Sequence, residues 1–219
     1  MTAGTSVPGI QFTAVGFLAP QPAAVLAGVQ LDIDAAFGRS LSYGLTTPQG
    51  QLASSQTRWN LLAQGTLMGY NNEAPLPEHR YWTDAWNGYP AARERLMKFL
   101  SERHISNPVV LSGDIHAFVV SGLHLKAADL ESALVAPEFV TTSVTSDAVA
   151  ETYFENIRKN NPNLLTATGE HRGYVRMDIT KDTLRADLIS IDTVKEQNSG
   201  RSTLISYVVE AGKPALQRA

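Results

Sequence analysis

The segment Gly113-Asp114-Ile115-His116 places an aspartate and a histidine two residues apart. In an extended backbone, residues i and i+2 project to the same side, so both side chains could reach a single metal ion. Without a metal, the same pair could serve as a general base and its orienting group. A structural histidine that is hydrogen-bonded to its neighbour would show the same triplet, so the chemical interpretation depends on the surrounding sequence.

The available ligand types limit the choice of metal. The sequence contains no cysteine, which excludes disulfides, thiolate ligands and cysteine nucleophiles. Oxygen and imidazole ligands suit calcium, magnesium, manganese, iron or zinc, so the identity of the metal stays open. A serine hydrolase is a weak alternative, because no Gly-x-Ser-x-Gly motif occurs and the hydroxyl-rich run 141–146 lacks flanking glycines.

The elements around the triplet predict that a buried strand delivers it to the edge of a sheet. A short apolar run, Val109-Val110-Leu111, leads directly into it. Upstream, apolar residues at helical spacing predict a helix over 91–103, with Pro90 in its first turn. The remaining predicted elements are strands over 118–125 and 138–144, a second helix over 147–159 capped by Asp147, and an antiparallel meander from Arg172 onward.

Length and composition indicate one globular domain that acts on something other than nucleic acid. The chain has 219 residues, of which 43% are hydrophobic, and this is enough to bury a substantial core. A net charge of -3 provides no basic surplus for a phosphate backbone. We therefore expect no nucleic-acid partner.

The first 31 residues carry no charged side chain, yet their pattern predicts neither a signal peptide nor a membrane helix. A positive amino-terminal region is missing, and Pro8, Gly9, Pro20 and Pro22 interrupt any long helix. We expect residues 1–55 to be an irregular apolar arm with loops that could contact another subunit. Residues 56–219 then form the functional domain, no membrane partner is expected, and the cellular location stays open.

Three further segments give the triplet its context. They are Asp84-Ala85-Trp86-Asn87-Gly88-Tyr89-Pro90-Ala91-Ala92-Arg93, the run 138–146, and Arg172-Gly173-Tyr174-Val175. In this order and spacing, the sequence from about Gln56 to Gly212 resembles the carboxy-terminal half of the PhoD-like alkaline phosphatases and phosphodiesterases. Members of that family are calcium- and iron-dependent phosphoesterases that are usually exported. The resemblance implies an α+β fold, half of a two-sheet calcineurin-like sandwich with mostly antiparallel strands and two or three helices.

The resemblance also implies roles for individual residues. Asp114 and His116 match positions that bind metal and take part in catalysis, and Asp84 lies in a segment near the same site. Arg93 could meet the phosphate, although a solvated helix arginine is an alternative interpretation. The aromatic residues Trp86 and Tyr89 would line the substrate pocket or belong to the core. The implied cofactor is a divalent or trivalent metal, with calcium, iron, zinc and manganese as the candidates.

One departure from the family bears on activity. Full members carry an earlier half that supplies further metal ligands and an arginine-rich phosphate pocket, and residues 1–55 do not show those motifs. We expect self-association as a homodimer, because half of a sandwich would leave apolar faces bare. The predicted function is metal-assisted attack of water on a small-molecule phosphate ester, a diester or triester rather than a monoester. The alternative is a non-catalytic structural remnant or one subunit of a larger phosphatase.

Overall fold

The computed structural model describes residues 10–16, 27–31, 52–146 and 149–219, which form two β-sheets and two helices. The first strands of the chain are β1 (Ile10–Gly16), β2 (Ala27–Leu31), β3 (Trp59–Gln64), β4 (Pro108–Ser112), β5 (Phe118–His124) and β6 (Leu134–Val140). The later strands are β7 (Leu164–Thr168), β8 (Arg172–Ile179), β9 (Thr183–Ile191), β10 (Arg201–Glu210) and β11 (Lys213–Arg218). The helices are α1 (Pro90–Glu102) and α2 (Glu151–Asn160), and a single 3-10 turn covers Trp86–Gly88.

The larger sheet has seven strands in the order β2-β1-β3-β4-β6-β5-β7. Its centre is parallel, because β3 pairs in parallel with β1 and β4, and β4 pairs in parallel with β6. On the outer side, β5 pairs antiparallel with both β6 and β7. The carboxyl ends of β3, β4 and β6 therefore meet at one edge of the sheet, which we call the carboxyl edge. The opposite edge, where these strands begin, is the amino edge.

The smaller sheet is an antiparallel meander in the order β11-β10-β9-β8. Apolar residues alternate along its strands, and one face packs against the larger sheet. Residues that share this contact layer are Leu184, Ala186, Leu188, Tyr207 and Val209 from the small sheet and Trp59, Leu61, Val109, Phe118, Val120 and Phe139 from the large one. The two sheets thus form a sandwich with a continuous apolar layer between them.

The helices cover the other face of the large sheet. Alternation along the strands supplies the second layer, since Val109 and Val110 are neighbours but face opposite sides. Helix α1 packs there through Leu96, Met97 and Leu100. Helix α2 adds a third cluster, in which Phe154 and Ile157 meet the strands β5 and β7. Among the described residues, no helix is long and apolar enough to span a bilayer.

The predicted α+β sandwich with mostly antiparallel pairing is confirmed. The chain contributes strands to both sheets, so in the described residues the apolar faces cover one another instead of lying bare. The helix predicted over 91–103 is α1, and the predicted meander is β8 to β11. The strand predicted over 138–144 is β6, which begins earlier, at Leu134, because its first residues pair with β5 before the ladder with β4 starts at Glu138, and which ends at Val140.

Two predictions for other segments need correction. Residues 1–55 are not irregular throughout, since 10–16 and 27–31 are strands of the large sheet. The remainder of that arm up to residue 51 lies outside the described residues. The second helix begins at Glu151, four residues later than predicted, and its expected cap Asp147 also lies outside the described residues.

Candidate active site at the carboxyl edge

Strand β4 ends at Ser112, and the chain turns at the carboxyl edge through Gly113, Asp114, Ile115 and His116 before β5 begins at Phe118. In open sheets with parallel strands, ligands bind outside the carboxyl ends of the strands, where the loops meet. Asp114 and His116 are both exposed at this edge. The position of the two side chains in the fold is therefore one that a substrate could reach.

The backbone of this turn is not extended, and the expectation based on an i to i+2 alternation was wrong. The amide of Ile115 donates to the carbonyl of Gly113 at 2.9 Å, which closes a γ-turn centred on Asp114. Asp114 has φ 71° and His116 has φ 55°, so both residues are left-handed. Left-handed φ is uncommon outside glycine, and a γ-turn of this hand is rare and strained. The directions of the two side chains are thus set by turn geometry.

Long-range bonds hold the turn in this conformation. The amide of Gly113 donates to the carbonyl of Gly65, which follows β3, at 3.2 Å. Arg172 Nη1, from the first residue of β8, donates to the carbonyl of His116 at 2.9 Å. Both anchors come from residues distant in sequence, as expected where a strained backbone must be over-determined by its surroundings.

The described residues do not complete a metal site. No three His, Asp or Glu side chains among them converge on a common position. Asp84 is exposed, and its neighbour Ala85 packs in the same cluster as Ala117, but Asp84 does not join Asp114 and His116 in a three-ligand set. Since catalytic zinc sites use three protein ligands and calcium takes six to eight oxygens, two donors are too few.

The three predicted substrate-binding residues are buried or half-buried. Trp86 is fully buried, and its Nε1 donates to Gln64 Oε1 at 2.9 Å. Tyr89 is half-buried, immediately before α1. Arg93 is only 3% exposed, so the solvated-arginine interpretation is wrong. Its Nε donates to the carbonyl of Met68 at 3.0 Å, and burial lowers the pKa of its guanidinium against the opposing effect of Glu138.

Sequence inspection missed the buried carboxylate of Glu138. One of its oxygens accepts from the amide of Met68 at 2.7 Å and from Ser112 Oγ at 2.6 Å. The other accepts from the amide of Gly69 at 2.7 Å and from Ser121 Oγ at 2.9 Å. Burial raises the pKa of Glu138, while these four donors oppose the rise. Its position inside the apolar run of β6 was the available signal.

The Glu138 contacts join the carboxyl-edge loops from below. Ser112, which donates to Glu138, is the last residue of β4 and directly precedes the turn. Gln64, the last residue of β3, donates from Nε2 to Ser112 Oγ. Its Oε1 accepts from Trp86, so a polar chain runs from Trp86 to Glu138 beneath the turn. We call Gln64, Trp86, Ser112 and Glu138 the polar underlayer.

A pocket of about 370 Å³ opens at the amino edge, away from this turn. Its lining includes Trp59 and Pro108 at the starts of β3 and β4, together with Leu100, His104 and Lys213. Asp114 and His116 do not line it. Pocket volume and candidate chemistry therefore lie at opposite ends of the same strands, and we place the site by its side chains.

Comparison with known proteins gives three findings. The model of the PhoD-like phosphatase family matches residues 48–188, a range that includes the turn and the polar underlayer. Alkaline phosphatase D of Bacillus subtilis (strain 168) is 36% identical over 172 residues, covering 76% of this chain and 29% of that protein. The solved structure of PhoD superposes with a TM-score of 0.73 at 32% identity, covering 87% of this chain and 37% of the other. The chain thus spans about a third of the length of these relatives.

Proposed function

The chain belongs to the PhoD-like phosphatase family, and from this we propose that it serves the hydrolysis of phosphate esters, with Asp114 and His116 as the reactive pair. The observation that carries the proposal is the strained turn that presents both side chains at the carboxyl edge. Strained residues cluster at functional sites, where the surrounding structure holds them. The matched family range includes this turn, and a relative that is 36% identical is an alkaline phosphatase.

Two roles for the pair fit its chemistry. In the first, the Asp114 carboxylate and the His116 imidazole hold a metal whose remaining donors come from outside the described residues. Such a metal would supply charge stabilisation at phosphorus. In the second, one side chain accepts a proton from the attacking water and the other orients it. The described residues offer too few metal ligands for a complete site. The first role agrees with this shortage, because the chain spans only 29% of the length of alkaline phosphatase D, and further ligands could come from a part of such a protein that this chain does not span.

We infer that a diester or triester suits this site better than a monoester. A phosphate monoester carries two negative charges, and nearby cations would have to compensate them. Arg172 is buried near this edge, and Arg93 is buried further toward the amino edge, where its Nη1 donates to the carbonyl of His124 at 3.2 Å; both donate to main-chain carbonyls. A singly charged or neutral ester needs less compensation. Trp86 and Arg93, being buried, would support the loop, which leaves Tyr89 to contact a substrate.

The test measures metal content and turnover together. Purified protein is analysed for bound metal and assayed with bis(p-nitrophenyl) phosphate, p-nitrophenyl phosphate and diethyl p-nitrophenyl phosphate, each with and without chelator. Asp114→Asn and His116→Asn are the informative variants, because asparagine tolerates left-handed φ better than alanine does. Loss of a reacting group predicts at least a ~100-fold fall in kcat/KM.

His104→Asn is the matched control. His104 is also an exposed histidine with left-handed φ, 51°, but it lies at the amino edge. We expect its turnover to equal that of the parent protein. Equal activity in all three variants would remove the pair from the reaction. Turnover that survives thorough chelation but disappears in His116→Asn would favour the base over the metal role.

The alternative is that this chain is one subunit or part of a larger phosphatase and has no turnover alone. The fraction of the relatives that it covers favours this possibility specifically. Solution mass separates the cases, since a homodimer, which stays a prediction, would bring two copies of the turn into one particle. A monomer without activity would support the partial-enzyme alternative.

A further inference from the structure

Arg172 is a buried cation at the carboxyl edge whose contacts point inward. Its side chain is 9% exposed, at the first position of β8. Nη1 donates to the carbonyl of His116 at 2.9 Å, to Thr142 Oγ1 at 3.0 Å and to Ser143 Oγ at 2.7 Å. Nη2 donates to the carbonyl of Gly169. The guanidinium is thus occupied by protein acceptors and is not presented to solvent as a phosphate-binding group.

These contacts join three loops that are far apart in sequence. His116 belongs to the turn after β4, Thr142 and Ser143 follow β6, and Gly169 follows β7. Two further bonds tighten the junction. Thr142 Oγ1 donates to the carbonyl of His171 at 2.9 Å, and the amide of Gly173 donates to the carbonyl of Ser143 at 3.3 Å. The residues on either side of Arg172 are therefore held to the same loop that its side chain binds.

The strained backbone of the turn needs such an anchor. A left-handed backbone is unfavourable for a residue other than glycine, and two such residues stand within three positions at Asp114 and His116. Within the turn, the Ile115 amide and the Gly113 carbonyl satisfy each other, but the carbonyl of His116 is held by Arg172. If that bond were lost, the left-handed residue would be free to relax toward the more favourable right-handed or extended regions.

We propose that Arg172 is the positioning residue of the site. Its guanidinium binds the His116 carbonyl and the Thr142 and Ser143 hydroxyls together, and in this way it keeps the turn from Asp114 to His116 in its strained conformation. It sets the direction of both side chains without contacting the substrate. This inference rests on the proposed function of the turn. Arginine suits the task because its rigid planar fork offers several donors in fixed directions, whereas lysine is a flexible point charge.

The experiment compares Arg172→Met, Arg172→Lys and the control Arg185→Met. Arg185 lies on β9 and donates to Asp187 and Ser206 of the small sheet. Neither Arg185 nor these two partners is close in sequence to the turn. Each variant is measured for thermal stability, for hydrogen exchange of segments 113–117 and 141–143, and for kcat and KM on bis(p-nitrophenyl) phosphate. Arg172→Ala is assayed in addition with millimolar guanidinium as a chemical rescue.

We expect Arg172→Met to raise exchange in 113–117 by about 10-fold relative to the strands β9 and β10, since a bond to a charged group is lost locally. Displaced reacting groups predict a kcat about 100-fold lower with little change in KM. Arg172→Lys should retain the fold and show the same pattern more weakly, and guanidinium should restore part of the kcat of Arg172→Ala. Arg185→Met should lose stability without selective exchange in the turn.

An Arg172→Met variant whose exchange rises equally throughout the chain would overturn the positioning role and leave only a structural one. The positioning role is also overturned if kcat falls no further than in Arg185→Met at equal loss of stability. If the parent protein hydrolyses none of the esters, the proposed function fails. The exchange measurement still decides whether Arg172 holds the turn, so the two failures are distinguishable.

Discussion

The two edges of the large sheet carry the same backbone feature and differ in what holds it. His104 and Asn107 are left-handed at the amino edge, with φ 51° and 41°, just as Asp114 and His116 are at the carboxyl edge. At His104, local structure accounts for the conformation. His104 directly follows Arg103, the C-cap of α1, and the amide of Ile105 donates to the carbonyl of Leu100 at 3.1 Å, a pattern typical of helix termini. Asn107 is also held by distant residues, because its carbonyl accepts from the amide of Asn60 at 3.2 Å and its Oδ1 accepts from the amide of Gly212 at 2.5 Å. Asparagine also tolerates this region readily.

At the carboxyl edge, distant residues supply the restraint. Arg172 reaches the carbonyl of His116 across 56 positions of sequence, and the polar underlayer braces the end of β4 from within. The amino edge has a pocket of about 370 Å³, and the left-handed conformation of His104 there follows from ordinary helix-terminus chemistry. His104 and His116 therefore share a backbone conformation but not the kind of contact that maintains it.

The strongest test of this contrast replaces one glutamate by glutamine on each side of the comparison: Glu138, beneath the carboxyl-edge turn, and Glu210, near the amino-edge pocket. In Glu138→Gln, the new amide must face the backbone amide of Met68 or Gly69, and neither donor can be reversed. We expect unfolding free energy to fall by about 4 kcal/mol, as for other disrupted buried charges, measured by urea denaturation. Glu210→Gln, on the exposed hairpin beside the pocket, should leave the urea midpoint unchanged. A stable Glu138→Gln protein would show that the underlayer does not brace the edge.

A smaller effect on stability is expected from adding one methyl group near each edge of the large sheet, at Gly173 and at Gly212. Gly173 follows Arg172 and has φ 155°, and a Cβ there would lie 1.8 Å from the carbonyl oxygen of Ile189. Gly173→Ala should therefore reduce stability by about 3 kcal/mol, since backbone must shift to admit the methyl. Gly212 lines the amino-edge pocket with φ 86° and open space around it. Gly212→Ala should cost about 1 kcal/mol from backbone strain alone. Equal losses in denaturant titrations would contradict the proposed difference in packing.

The smallest effect separates strain from function. Asp114→Gly and His104→Gly each remove a left-handed side chain, so each should stabilise the protein by about 0.5 kcal/mol after the added flexibility of glycine. Calorimetry measures that gain. Ester hydrolysis should then disappear in Asp114→Gly and persist in His104→Gly. If both variants kept full turnover, the strain at the two edges would be equivalent and the carboxyl edge would have no special role.

Much of the fold could be predicted from local patterns. The period of apolar residues predicted α1 and the meander, and several separate motifs predicted the family and its α+β sandwich. These signals are local because helical and strand periodicities are written in neighbouring residues. The strands at 10–16 and 27–31 were missed, since a strand in a mixed sheet is recognised by its partners as much as by its own sequence.

The residues of the candidate site were named from the sequence and stay a prediction, and the geometry of their turn was not predicted. Asp114 and His116 could be named from the triplet, whereas their left-handed backbone depends on Gly65 and Arg172, which contact the turn only after folding. Arg93 looked like a surface residue because a helix position does not reveal what lies beside it. Its burial against Met68 and its coupling to Glu138 arise from the packing of α1 on the sheet.

The sequence by itself determined which side chains could react, which elements surround them and which family they resemble, since these follow from residue types and local spacing. Only the tertiary structure decided where the turn points, which cations are buried and which edge of the sheet holds the pocket. The physical reason is that strain and burial are properties of contacts between distant segments. No stretch of neighbouring residues contains those contacts.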